Sequence, residues 1–81
     1  MITSAQIRAA RAALRMSSQE LAARSGIAQR TIKRLEAMDG VPASHVSTLV
    51  ALKTALEAAG VEFVGSPDDR PGIRVLATSR S

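Results

Sequence analysis

Apolar positions recur at helical spacing through the first sixty residues, and the spacing changes to alternation after that. Ile7, Ala10 and Leu14 fall on one side of a helix, with Arg8, Arg11 and Arg15 on a neighbouring stripe. Thr3 followed by Gln6 predicts a capping box at its start, and the helix is expected to reach about Arg15. Ser17 and Glu20 repeat that spacing and open a short second helix with Leu21 and Ala22 inward; Gly26 ends it. A third helix is predicted from about Ala28 to Ala37. It places Ala28, Thr31, Ile32 and Leu35 on one arc and Gln29, Arg30, Lys33 and Arg34 on the other, with Glu36 at the margin.

Asp39-Gly40-Val41-Pro42 reads as a turn, because Gly stops a helix and Pro disfavours helix in the residue before it. Ser44 is the expected cap of a fourth helix reaching Ala59, with Leu49, Leu52, Leu56 and Ala59 inward and a Lys53–Glu57 pair outside. Val46 and Val50 lie on a second face that one small core need not cover. Beyond Gly60, Val61–Val64 and Ile73–Leu76 read as two short strands flanking a turn-rich stretch from Gly65 to Gly72. The expected fold is mostly α, four to five helices with a C-terminal β-hairpin. It divides into a helical unit at 1–60, a hairpin at 61–76 and a frayed tail at 77–81.

With 81 residues the chain has room for one small domain and none for a separate sensor or catalytic domain. It holds no cysteine, so neither disulfides nor thiolate metal sites are expected, and Phe63 alone cannot form a base-stacking platform. One His, no Tyr and seven carboxylates without ligand spacing leave little for an enzyme to use, and no metal or cofactor is expected. The apolar runs are too short for a membrane span, which favours a cytoplasmic chain. Charge changes the picture most. Residues 1–40 carry Arg8, Arg11, Arg15, Arg24, Arg30, Lys33 and Arg34 against Glu20, Glu36 and Asp39, so the whole net charge of +4 sits on the first half. A localised basic surface suits a polyanion, although the Arg8/Arg11/Arg15 stripe by itself reads more simply as a solubilising face.

The segment Ser17-Ser18-Gln19-Glu20-Leu21-Ala22-Ala23-Arg24-Ser25-Gly26-Ile27-Ala28-Gln29-Arg30-Thr31-Ile32-Lys33-Arg34-Leu35-Glu36 resembles the helix-turn-helix of phage-repressor-like, XRE-type transcriptional regulators. The resemblance extends over residues 3–59. It implies a repressor-like DNA-binding fold whose third helix enters the major groove of double-stranded DNA. Gln29, Arg30 and Arg34 would occupy base-reading positions, while Ser17, Ser18, Thr31 and Lys33 would lie near the backbone. Two positions depart from the family pattern. Ser18 replaces the usual Gln, shortening or losing its contact to phosphate and to the recognition helix. Ala28 replaces the usual capping Ser, and a lost cap costs about 1 kcal/mol.

A lone hairpin is marginal in water and leaves strand edges unpaired. The expectation is therefore a homodimer through Val61, Phe63, Val64, Ile73, Val75 and Leu76, with Val46 or Val50 adding apolar surface. Val61, Phe63, Ile73 and Val75 would share the face toward the bundle, and Glu62 and Arg74 the other. A dimeric repressor reading a pseudo-palindromic operator follows, with no small-molecule ligand. The competing expectation is an antitoxin-type protein that binds a toxin and its own promoter; the short stretch after Leu76 weighs against it.

Overall fold

The computed structural model describes residues 2–76, so the tail expected at 77–81 lies outside the described residues. Four helices, α1 (Ser4–Ala13), α2 (Ser18–Ser25), α3 (Gln29–Glu36) and α4 (Val46–Ala59), precede strands β1 (Val61–Ser66) and β2 (Asp69–Val75). The Thr3–Gln6 box forms in full: Thr3 Oγ1 accepts the Gln6 amide at 3.1 Å and Gln6 Oε1 accepts the Thr3 amide at 2.8 Å. The second box forms only by half. Ser17 Oγ accepts the Glu20 amide at 3.0 Å, but the Glu20 carboxylate turns to Arg24 instead, one turn along the exposed face.

Gly26 closes α2 in the left-handed conformation, at φ 77°. That residue type was legible for a physical reason, since a Cβ is strained there. The start of α4 differs from expectation. Its first helical bonds close on the His45 carbonyl, so His45 is the N-cap and makes no side-chain bond, while Ser44 sits one residue too early to cap.

The core is built from Ile2, Ile7, Ala10, Met16, Leu21, Ile32, Leu35, Leu49, Leu52, Leu56 and Val61. These are the inward positions of the helical periods, with Leu14, Ala22, Met38, Ala59, Phe63 and Ile73 packed at the margin. Ala28 leaves the apolar arc assigned to it: as N-cap of α3 it stands before the first turn and is exposed.

The hairpin is longer than its sequence suggests. β1 and β2 pair antiparallel with Val61 opposite Val75, Glu62 opposite Arg74, Phe63 opposite Ile73, Val64 opposite Gly72 and Ser66 opposite Asp69. The register slips between Val64 and Ser66, where Gly65 of β1 stands opposite two residues of β2, Arg70 and Pro71, and this bulge in β2 lets the strands run on to a turn at Pro67-Asp68. Pro71, which has no amide to give a ladder, is tolerated within that bulge. Glu62 and Arg74 pair at 2.9 Å on the outer face, as alternation requires.

α1 holds the hairpin in place. Gln6 Nε2 donates to the Val64 carbonyl at 3.1 Å and to the Gly72 carbonyl at 2.7 Å, so one buried side chain caps its own helix and satisfies two strand carbonyls. Val61 is turned into the core of its own chain at 1% exposure, and Phe63 and Ile73 pack against that core. Val75 does not share this cover, contrary to the alternation. It stands three residues beyond the Gln6 anchor at Gly72 and is 54% exposed. Gln6→Leu keeps the volume but leaves these carbonyls and the Thr3 amide without their partner. It should cost about 1–2 kcal/mol in urea unfolding and speed amide exchange in β1 and β2. Unchanged exchange in the strands would show that the hairpin does not depend on the tie. Among the described residues no helix is long and apolar enough to cross a membrane.

Candidate nucleic-acid interface

The basic face expected on the third helix is present on α3. Ile32 and Leu35 are fully buried, so the helix is fixed by one side and must present the other. Arg30, Lys33 and Arg34 are exposed on that other side, and Gln29 and Thr31 are half-buried at its first turn. Ser17 is exposed and Ser18 half-buried at the start of α2. The structure thus brings Gln29 to Ser18 directly: Gln29 Nε2 donates to Ser18 Oγ at 2.9 Å. The contact between the two helices is shortened by the Gln-to-Ser departure, but it is not lost.

This bond fixes the chemistry left over. An amide nitrogen carries two hydrogens, so Gln29 keeps one N–H and its Oε1 free, the donor–acceptor pair that matches adenine N7 and N6. Ser18 Oγ accepts from Gln29, which leaves its own hydrogen to donate outward, as a phosphate oxygen requires. Ala28 brings no side-chain bond to the α3 N-terminus, as its residue type dictates. The first amides of α3 therefore have no side-chain acceptor from the cap, with Arg30 in the same turn and Lys33 and Arg34 in the last one.

The other end of α3 is held by residues that helical periodicity assigned to a solubilising stripe. Arg11 Nε and Nη2 donate to the two Glu36 carboxylate oxygens at 2.8 and 2.9 Å, and Arg11 Nη1 donates to the Met16 carbonyl at 2.9 Å. Arg8 Nη1 donates to the Glu36 carbonyl, capping the C-terminal end of α3. The Ser4 hydroxyl donates to the Leu35 carbonyl at 2.7 Å, and the Ser4 amide to the Gly40 carbonyl at 2.8 Å. The Arg11 guanidinium is pushed above its ordinary value, chiefly by its hydrogen bonds to Glu36, against desolvation and with help from the carboxylate charge. Arg8 and Arg11 are thus structural anchors of α3. Arg15 remains exposed, at φ 54° in the left-handed region just past α1. No signal local to either residue announces the Arg11–Glu36 pair, because 25 residues separate them.

Arg30, Lys33 and Arg34 are thus exposed together on a helix whose other side, at Ile32 and Leu35, is buried and whose two ends are tied to α1 and α2. Among the described residues no cluster of His, Asp or Glu is arranged to hold a metal. No curated protein matches this chain. A helix-turn-helix family model matches residues 7–57, from within α1 to near the end of α4, and leaves the hairpin outside the match. The chain belongs to the XRE-type helix-turn-helix family of DNA-binding transcription regulators.

Proposed function

We propose that the protein is a dimeric repressor that lays α3 in the major groove and reads a pseudo-palindromic operator. The observation that carries this reading is the mounting of α3: its apolar side is wholly buried, both ends are tied by side-chain hydrogen bonds, and its exposed side presents Arg30, Lys33 and Arg34. Arg30 and Arg34 each offer the planar fork that matches guanine O6 and N7, and Gln29 the pair that matches adenine. Lys33, Thr31, Ser17 and Ser18 serve the phosphates, which position without specifying. Two copies related by a two-fold axis read half-sites about 10 bp apart, centre to centre. Repression then follows from occupancy of a promoter that polymerase needs.

Selection of binding sites from random duplex DNA tests the reading. The wild type should enrich two inverted half-sites about 10 bp apart. On the selected duplex, Arg30→Ala or Arg34→Ala should cost about 1–3 kcal/mol and relax preference at one position. Lys33→Ala should weaken all sequences alike and lower the slope of log affinity against log salt by about one. If both arginine variants lost affinity equally for selected and random DNA, Arg30 and Arg34 would be backbone contacts and the base-reading assignment would fall. A reporter driven from a promoter carrying the selected site should be silenced by the wild type and not by the arginine variants.

A further inference from the structure

Two backbone bonds close the end of α1: the Arg15 amide donates to the Ala12 carbonyl at 3.1 Å and the Met16 amide to the Arg11 carbonyl at 2.9 Å. Such a closure needs a left-handed residue just past the helix, a place that suits glycine because a Cβ is strained there. α2 and α4 end on Gly26 and Gly60, at φ 77° and 119°. After α1 the left-handed position is held by Arg15, at φ 54° and exposed. Its side chain makes no hydrogen bond or ion pair among the described residues, so nothing there offsets the strain. Most of the chain's cations differ in this. Arg8 and Arg11 are held by Glu36, Arg24 by Glu20, Lys53 by Glu57, Arg70 by Asp69 and Arg74 by Glu62. Among the described residues the cations without such a partner are Arg15 and the three exposed on α3, Arg30, Lys33 and Arg34.

We infer that Arg15 contacts a phosphate of the duplex, beside the phosphate assigned to Ser17 and Ser18; the inference rests on the DNA reading above and extends its interface to the end of α1. Arg15 stands two residues before Ser17, so at most about 7 Å of chain separates it from the start of α2. Ser18, next along, is bonded to Gln29, the first residue of α3. The turn that carries Arg15 is fixed as well. Arg11 Nη1 holds the Met16 carbonyl while the same guanidinium grips Glu36, the last residue of α3. Arg15 therefore rides on the frame that mounts both ends of that helix. Backbone strain that a glycine would avoid is retained where a side chain serves a ligand, and an exposed guanidinium on a rigid turn serves a phosphate. The contact adds affinity and salt dependence without adding sequence preference.

Titration of the full chain on the selected duplex and on a random-sequence duplex, over a series of salt concentrations, tests the assignment with Arg15→Gln, Arg15→Gly and Arg15→Lys. Losing one phosphate contact lowers the slope of log affinity against log salt by about one. Between about 50 and 200 mM salt the wild type should thus lose about three- to fourfold more affinity than Arg15→Gln. Arg15→Gly should show the same lower slope and melt no lower than the wild type, since it removes the strain together with the charge. Arg15→Lys keeps the charge and should keep the slope. All three should discriminate selected from random duplex as the wild type does. A slope unchanged in both Arg15→Gln and Arg15→Gly overturns the inference, as does a slope lost equally in Arg15→Lys. So does a slope that falls only in variants whose melting temperature also falls, because the side chain then serves the fold. Lys33→Ala distinguishes these failures from that of the underlying reading. A wild type that binds neither duplex, or a slope that Lys33→Ala leaves unmoved, overturns the placement of α3 on DNA itself.

Discussion

Glu36→Ala should lower stability by about 3 kcal/mol, which for a domain of this size moves the melting temperature down by roughly 15 °C. The cause is the cation left behind. The Glu36 side chain is 9% exposed and the Arg11 side chain 26%, so Arg11 without its carboxylate keeps most of its desolvation and loses two charge-assisted bonds. Its remaining bond to the Met16 carbonyl and its exposed fraction hold the loss below the range for a wholly buried pair. Replacing both partners, Arg11→Met with Glu36→Leu, should recover much of it, because an apolar pair has no unpaired charge to strand. Alkali should leave the pair intact. The folded Arg11 value is raised above the unfolded one, so its contribution is fully present below the ordinary guanidinium range and is lost only as pH climbs through that range, beyond about pH 12. Urea titrations of the two single variants and the double at neutral pH measure the coupling. A Glu36→Ala variant within about 0.5 kcal/mol of the wild type would reduce the pair to a surface contact.

The consequence for recognition follows from where Glu36 lies. It is the last residue of α3, and the Arg8 and Arg11 contacts tie that end to α1 while the Gln29–Ser18 bond ties the other end to α2. An eight-residue helix is too short to be stable alone, so its direction is whatever these ties and Ile32 and Leu35 impose. Base reading needs side-chain placement finer than a base pair. Loss of the Arg11–Glu36 tie should therefore reduce discrimination between the selected and random duplexes more than it reduces binding to random DNA.

What could be read from the chain and what could not divides along sequence distance. Thr3 with Gln6, Ser17 with the Glu20 amide, and Gly26 after α2 are local devices, complete within one turn, and each was legible. So was the burial of Ile32 and Leu35, since a 3.6-residue period states which side of α3 must turn inward. The Arg11–Glu36 pair spans 25 residues, and the bonds from Gln6 to Val64 and Gly72 span 58 and 66. A helical wheel shows Arg11 on a polar stripe and Gln6 in a capping box. It cannot show that a second element arrives to use the same side chain. The candidate site follows the same rule. Its exposed cations come from periodicity within α3, whereas the Ser18–Gln29 bond depends on how two helices cross at Gly26, which residue types alone leave open.

The hairpin carries the second large effect, and it rests on Gly65. Gly-Ser-Pro-Asp-Asp-Arg-Pro-Gly has the composition of a loop, yet most of it is strand, and the conversion is made where Gly65, at φ 75°, stands opposite the bulged Arg70 and Pro71. A Cβ at Gly65 would stand 2.2 Å from the Arg70 carbonyl oxygen and 2.8 Å from that of Asp69, both backbone atoms with no side-chain torsion to relieve them. Gly65→Ala therefore meets two penalties at once. The left-handed backbone costs about 1–2 kcal/mol for a residue with a Cβ, and the overlap about 1–3 kcal/mol more as the strands are pushed apart. The expected sum is about 2–5 kcal/mol, unless the last residues of the hairpin come undone to avoid it. That escape is itself measurable. The pairing of Ser66 with Asp69 lies beyond the bulge, whereas Val61, Phe63 and Gln6 hold the hairpin on the helices' side of it. Amide exchange in Gly65→Ala should thus rise sharply from Ser66 to Arg70 and less at Val61 and Phe63. Gly26→Ala, where the φ of 77° is similar but no atom lies within 4 Å of the new Cβ, should show the backbone penalty alone, about 1–2 kcal/mol. Equal losses at Gly26 and Gly65 would mean that the close approach of the Arg70 carbonyl contributes nothing and that the bulge yields without resistance.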